Sequence, residues 1–422
     1  MNDRMSVLTW IIFVVTYAGL ALGKVPGLRM DRAGIALVGA TLMLVTGVLS
    51  LNQAVSPDSI DFKTLLLLFG MMIVVGVLRL SGFFGRLTDL ASRHIATPKG
   101  LLALTIGLSG VFSAFLINDV ICVALTPLVI HLARRMKADP IPHLIGLATA
   151  ANVGSTGTIT GNPQNIYIGS HSGIAYLRFA ARLLPVAMLG LVVTYLVVCL
   201  VYRSRLAALE VSDTERPIDN ADRDTPRSRN HARLQIKAVT VTLAAVALFF
   251  TGLPLELVAL GAAAVMLLDR IKPEKIYRQV DWSLLVMFTG LFIVVHGFQV
   301  HVVAGWGIER WTWLLERPID LLSLVSAALS NLVSNVPAVL LLEPVAQSVP
   351  AATRETAWLA LAMSSTFAGN LTVLGSVANL IVVESANRHG VRISFWEYCR
   401  VGVPLTVLTL ILGLAWLQYV RY

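Results

Sequence analysis

Uncharged apolar runs such as Leu65–Leu78 and Val186–Val201 constrain this chain most. They approach or reach the roughly 20 residues that cross a bilayer. Only 14% of the 422 residues are charged and 56% are hydrophobic, whereas a soluble domain carries about 25% charge. A water-soluble enzyme is therefore excluded, and the expectation is an all-α polytopic membrane protein. Hydropathy places spans near 8–23, 34–50, 64–80, 143–170, 183–202, 235–251, 254–269, 283–300, 356–385 and 401–420.

Two further apolar stretches, 101–134 and 319–347, break at Asn118-Asp119 and at Ser334-Asn335. Each arm reads as about 13–16 residues, short of the hydrocarbon thickness at 1.5 Å per residue. The pattern predicts two re-entrant hairpins beside about ten transmembrane helices. Such backbone is tolerated at membrane depth only where protein or a wet cavity covers it.

The net charge of +9 is then a matter of orientation rather than of nucleic acid. Loops 24–32, 79–99, 134–142, 203–237, 270–281 and 386–400 fall on one side and hold 25 of the 33 Lys and Arg. The positive-inside rule makes that side cytoplasmic and both termini extracytoplasmic, in an inner (plasma) membrane.

An internal repeat is legible. Ile60-Asp61-Phe62-Lys63-Thr64-Leu65-Leu66 matches Val280-Asp281-Trp282-Ser283-Leu284-Leu285. Ala114-Phe115-Leu116-Ile117-Asn118-Asp119 matches Asn331-Leu332-Val333-Ser334-Asn335-Val336, and Thr158–Asn165 matches Thr372–Asn379. Residues 1–202 thus form a first repeat of three spans, a hairpin, a broken helix and one span. Residues 235–422 form a second, and 203–234 is a polar cytoplasmic linker. Five crossings per repeat is odd, so the halves are expected to be inverted, as in many secondary transporters. Arg4, Leu8–Leu22 and Ala21-Leu22-Gly23 also fit a signal peptide, but the first span's place in the repeat argues that it is retained.

The polar breaks carry the chemistry. The hairpin tips hold Asn118, Asp119, Ser334 and Asn335; the broken helices hold Asn152, Ser155, Thr156, Asn162, Asn165, Asn370, Thr372, Ser376 and Asn379. Gly and Pro at those breaks leave half-helix ends whose N–H and C=O groups can bind a solute or an ion. Small and amide residues also serve as packing devices between membrane helices, but four breaks at matched positions favour a transport site. Asp119, an acid inside the membrane, is expected to carry a proton or ligate Na⁺, with Glu343 as a second proton-coupling candidate. Cys122, Cys199 and Cys399 form no metal or redox spacing. His131, His296 and His301 read as interfacial, and Trp306, Trp311 and Trp313 as an aromatic belt. No nucleotide-binding loop or catalytic constellation is present, so neither an enzyme nor a cofactor is expected.

Ser113–Asp119 with Leu125-Thr126-Pro127-Leu128 resembles the arsenite permeases (ArsB-type) of the ion transporter superfamily. Gly161-Asn162-Pro163-Gln164-Asn165 with Ile168-Gly169-Ser170, and Ser334–Val339, resemble the anion permeases of the same group. The resemblance covers nearly the whole chain. It implies a scaffold domain and a transport domain, an often dimeric assembly, and elevator-like movement. The expected activity is secondary transport of a small inorganic oxyanion or metalloid, foremost arsenite or antimonite efflux coupled to H⁺. The rivals are a Na⁺-coupled carboxylate or sulfate symporter and a Na⁺/H⁺ antiporter. The carboxylate branch has Ser-Asn-Thr at both tips, whereas Ile117-Asn118-Asp119 and Ser334-Asn335-Val336 stand here.

Overall fold

The computed structural model describes residues 2–22, 30–93, 95, 97–207, 229–305 and 317–419. The expected tryptophan belt (306, 311, 313) and linker positions 208–228 lie outside the described residues. In the first half the helices are α1 (Asn2–Leu22), α2 (Arg32–Val45), α3 (Leu51–Ala54), α4 (Phe62–Leu80) and α5 (Phe83–Ser92). They continue as α6 (Pro98–Phe115), α7 (Asn118–Arg135), α8 (Pro140–Ser155), α9 (Pro163–Ser172) and α10 (Tyr176–Val201). The second half begins with α11 (Arg229–Phe249), α12 (Leu255–Leu267), α13 (Pro273–Tyr277) and α14 (Trp282–His301). It ends with α15 (Pro318–Val333), α16 (Asn335–Ser348), α17 (Ala351–Ala368), α18 (Val377–Arg388) and α19 (Phe395–Tyr419). Short 3₁₀ turns, Ile159–Gly161 and Val373–Gly375, join α8 to α9 and α17 to α18.

Local chemistry sets the ends. Asp61 starts α4 by accepting from the Lys63 and Thr64 N–H groups at 3.0 and 3.2 Å, and Asp281 starts α14 by accepting from Leu284 N at 3.0 Å. The two caps share a backbone conformation, φ −77° ψ 87° and φ −80° ψ 85°. Each relieves helix N–H groups that have no partner of their own. Asn162 caps α9 through Asn165 N at 2.8 Å, with Pro163 in the first turn, where its missing N–H costs nothing.

The helices gather into two groups. In one, α4 packs on α12 and α14 packs on α2, with α1 and α11 alongside; in the other, α6 lies against α8, α15 against α17, and α10 against α19. Close approach in the first group depends on two glycines. A Cβ on Gly70 would meet the Ala259 backbone at 2.7 Å, and one on Gly290 would meet the Ala36 backbone at 2.7 Å. The seam between the groups is formed by α4 against α7 and α9, by α14 against α16, and by α1 against α15.

Seven described helices are long and apolar enough to cross a membrane: α1, α4, α6, α10, α11, α14 and α19. Apolar side chains such as Met188, Val192 and Leu196 on α10 stand on the outside, as lipid rather than water requires. The chain is a multi-pass membrane protein. One expectation is revised: α6 reaches 18 residues because Thr97 caps it and Pro98 opens it upstream of the apolar run. Length alone therefore does not make it re-entrant. The arms α15 and α16 have 16 and 14 residues.

Candidate solute site

Eight helix ends meet in the second group of helices. The C-terminus of α6 is joined to the α8–α9 turn, where Thr158 Oγ1 donates to Ala114 O and Thr160 Oγ1 to Phe115 O at 3.2 Å. The end of α15 reaches α17, with Asn331 Nδ2 donating to Ala368 O at 3.0 Å. The N-termini of α7, α9, α16 and α18 approach from the opposite sense. Helix N-termini and C-termini, with their opposite partial charges, are thus joined in one hydrogen-bonded region.

Asn152 is the hub. Its Nδ2 donates to Asn370 Oδ1 at 2.9 Å and to Asn379 Oδ1 at 3.0 Å, while its Oδ1 accepts from Asn118 Nδ2 at 3.1 Å and Ser376 Oγ at 3.0 Å. An amide has two donors and about two acceptor positions, so Asn152 is saturated within the protein. It positions its neighbours. Asn370 Nδ2 also donates to Thr149 O at 3.2 Å, and Asn379 Nδ2 to Gly369 O at 2.7 Å and Thr372 O at 3.1 Å.

A second knot surrounds Ser155. Asn162 Nδ2 donates to Ser155 Oγ at 2.9 Å and to Thr366 Oγ1 at 3.3 Å, and Thr366 also accepts from Gln164 at 3.1 Å. Asn165 Nδ2 faces the carbonyls of Ser155, Thr156 and Thr158 at 3.1, 3.4 and 2.9 Å. Its counterpart Asn379 meets the Gly369 and Thr372 carbonyls in the same way. Asn335, with its amide nitrogen toward the carbonyls, donates to Ser365 O at 3.0 Å and Gly375 O at 3.2 Å.

Not every expected residue joins. Asp119 is buried at the tip of α7, where its N–H donates to Asn118 Oδ1 at 3.0 Å. Thr372 contributes its carbonyl, Thr156 Oγ1 turns back to Asn152 O at 3.3 Å, and Ser334 is held at φ 77° ψ 163°, backbone that strongly favours glycine. Glu343 lies apart, accepting from Tyr167 OH.

Several participants were not singled out by sequence. Thr366 and Thr149 look like ordinary helix-interior residues, and only their partners 200 and more positions away identify them. Asn331 stood in the repeat alignment opposite Ala114, a substitution of polar for apolar that was a readable signal. The buried polar atoms without a partner include Asn165 Oδ1, Asn331 Oδ1, Ser113 Oγ and Ser330 Oγ. Ser113 and Ser330 each lie five residues before a tip asparagine, Asn118 and Asn335. These unpartnered atoms on the hairpins and broken helices are thus amide oxygens and hydroxyls. Among the described residues, no lysine or arginine belongs to the buried polar set.

Comparison with known proteins agrees with a transporter. Residues 9–368 match the family described as citrate transporter (CitMHS). The chain is 30% identical to the silicon efflux transporter LSI3 of Oryza sativa subsp. japonica over 96% of both chains. It is 26% identical to a transporter named arsB of Dictyostelium discoideum, over 96% of this chain and 91% of that one. Among solved structures, the YdaH transporter of Alcanivorax borkumensis superposes with a TM-score of 0.55 at 14% identity, covering 99% of this chain and 97% of that one.

Proposed function

The chain belongs to the citrate transporter (CitMHS) family of the ion transporter superfamily, a family of transporters rather than enzymes, and on that premise we propose that it exports a small neutral polyhydroxide, foremost arsenite or antimonite, in exchange for protons. The orphaned acceptors Asn165 Oδ1 and Asn331 Oδ1 carry the reading. A buried acceptor without a donor is costly, and an O–H group of an undissociated hydroxide satisfies it. A fully deprotonated oxyanion such as sulfate offers only acceptors and would leave it unmet. The hydroxyls of Ser113 and Ser330 can accept or donate to the same class of solute. The silicon efflux name of the rice relative and the arsB name of the amoebal one point to the same chemistry.

The family description favours a second reading, a carboxylate. Citrate would bring several negative charges into a region whose described buried polar residues include no lysine or arginine. The site chemistry therefore supports the hydroxide.

In this reading the two halves, 1–202 and 235–422, are inverted repeats joined by 203–234, and α6–α7 and α15–α16 are re-entrant hairpins whose tips reach mid-depth. The matched caps at Asp61 and Asp281 and the matched amide contacts of Asn165 and Asn379 support it. The protein sits in the inner membrane as a homodimer with both termini outside. Asp119 carries the coupling proton. Proteoliposomes loaded with arsenite or silicic acid test the proposal: a pH gradient, acid outside in the cellular sense, should accelerate efflux, and Asp119→Asn should abolish that acceleration. Citrate flux exceeding both, or arsenite flux indifferent to the gradient and to Asp119→Asn, overturns it.

A further inference from the structure

On the seam between the two helix groups, one imidazole lies between two carboxylates that belong to different groups. Asp61, at the start of α4, places Oδ2 3.5 Å from His171 Nδ1 at the end of α9. Glu343 of α16 places Oε1 4.0 Å from His171 Nε2. The three side chains are 11%, 28% and 15% exposed, so the cluster is largely sheltered yet reachable by water. Tyr167, one turn earlier on α9, donates to Glu343, and its carbonyl faces His171 Nδ1 at 3.1 Å. Its ring lies 4.1 Å from the imidazole, centroid to centroid.

Most other polar side chains on the helices packed against α9 already have partners, and Lys63 of α4 is exposed. Thr64 Oγ1 donates to Asp61, and Gln347 of α16 meets the His171 carbonyl. Tyr17 of α1 donates to Pro337 O at 3.1 Å. On α17, Arg354 donates to Val349 O at 3.1 Å and Glu355 pairs with Arg178 at 2.7 Å. On the α8–α9 turn, Thr158 and Thr160 donate to the Ala114 and Phe115 carbonyls. No lysine or arginine is paired with either carboxylate in the described structure.

We propose that Asp61, His171 and Glu343 form a proton-binding site that latches α4 to α9 and α16, and that proton loss there opens the seam. With both ring nitrogens protonated, Nδ1–H faces Asp61 and the Tyr167 carbonyl while Nε2–H faces Glu343. One cation then bridges two anions across the seam. When Nε2 gives up its proton, its lone pair points at a carboxylate and two negative charges face each other with no cation between them. In the orientation proposed above, the start of α4 and the end of α9 lie on the outer side. A proton arriving from outside would then close the outer seam once the solute has left, which is the step a proton-driven exporter needs. This part rests on the proton-coupled export proposed above; the latch itself does not.

Both levels are separable by experiment on the full-length protein in proteoliposomes. A water-soluble carbodiimide added from outside modifies protonated, accessible carboxyls, and mass spectrometry reads modification of Glu343 against pH. In His171→Gln, which removes the imidazolium beside Glu343, labelling of Glu343 should exceed that of the parent under the same conditions. His171→Lys, a cation that persists above neutral pH, should give less of the carbodiimide adduct at Glu343 than His171→Gln, with any activated carboxyl that the introduced amine captures counted by mass spectrometry as an internal amide. Arsenite efflux by His171→Lys should fall at least about tenfold and lose its dependence on outer pH, an effect a purely structural histidine would not show. Superimposable labelling profiles for parent, His171→Gln and His171→Lys overturn the latch. If the labelling behaves as stated while the parent moves no arsenite, the export reading fails and the latch stands.

Discussion

At the scale of single residues, Asn152 differs from the other site amides in having every donor and acceptor used. Its replacement by alanine would strand the donors of Asn118 and Ser376 and the acceptors of Asn370 and Asn379 in a buried setting. Unmet buried groups cost about 1–3 kcal/mol each, and some would re-pair. Asn152→Ala should therefore lose roughly 2 kcal/mol or more of stability, read as a lower unfolding midpoint in detergent, together with most of the flux. A wild-type midpoint would show that the hub is dispensable. Ser334 makes the opposite case. Its φ of 77° with ψ 163° costs on the order of 1–3 kcal/mol for a residue with a Cβ. Ser334→Gly should raise the midpoint by the equivalent of about 1 kcal/mol after glycine's greater unfolded-state freedom is subtracted. A lowered midpoint would mean that the hydroxyl holds the tip.

At the scale of elements, the polar breaks were legible because Asn, Ser, Gly and Pro stand out in apolar sequence. The structure does place the α6–α7 and α15–α16 junctions at Leu116–Ile117 and Ser334, next to the predicted tips. Arm length was less legible: Thr97 and Pro98 extend α6 beyond its apolar run, since a cap and a first-turn proline are not apolar. Packing between elements left its own trace in Gly70 and Gly290. A side chain at either would push into the backbone of the partner helix, and overpacking of this kind costs about 1–3 kcal/mol. Gly70→Leu and Gly290→Leu should destabilise to a similar extent. Gly107→Ala on α6, where a Cβ meets nothing within 4 Å, should leave the midpoint unchanged or slightly higher. Unequal losses at Gly70 and Gly290 would show that the two helix crossings are not equivalent.

At the scale of the whole molecule, the uneven placement of Lys and Arg predicts which face is cytoplasmic. Gln53 and Lys272 are both exposed and fall on opposite faces in that prediction. With Cys199 and Cys399 replaced by serine, a membrane-impermeant thiol reagent on intact cells should label Gln53→Cys and spare Lys272→Cys; the reverse pattern inverts the topology. Hydropathy, charge bias and the positions of the polar breaks are local or additive along the chain, so the sequence by itself determined the membrane class and several of the spans, and it named the polar residues from which a candidate site is drawn. Which amides meet is not additive. Asn152 reaches Asn370 and Asn379 across more than 200 positions, Thr366 joins Asn162 in the same way, and His171 finds Asp61 and Glu343 on helices from both halves. Only the tertiary structure decided those partnerships, and with them which buried acceptors remain open, because a hydrogen bond depends on where two distant helices bring their ends and not on what either segment contains.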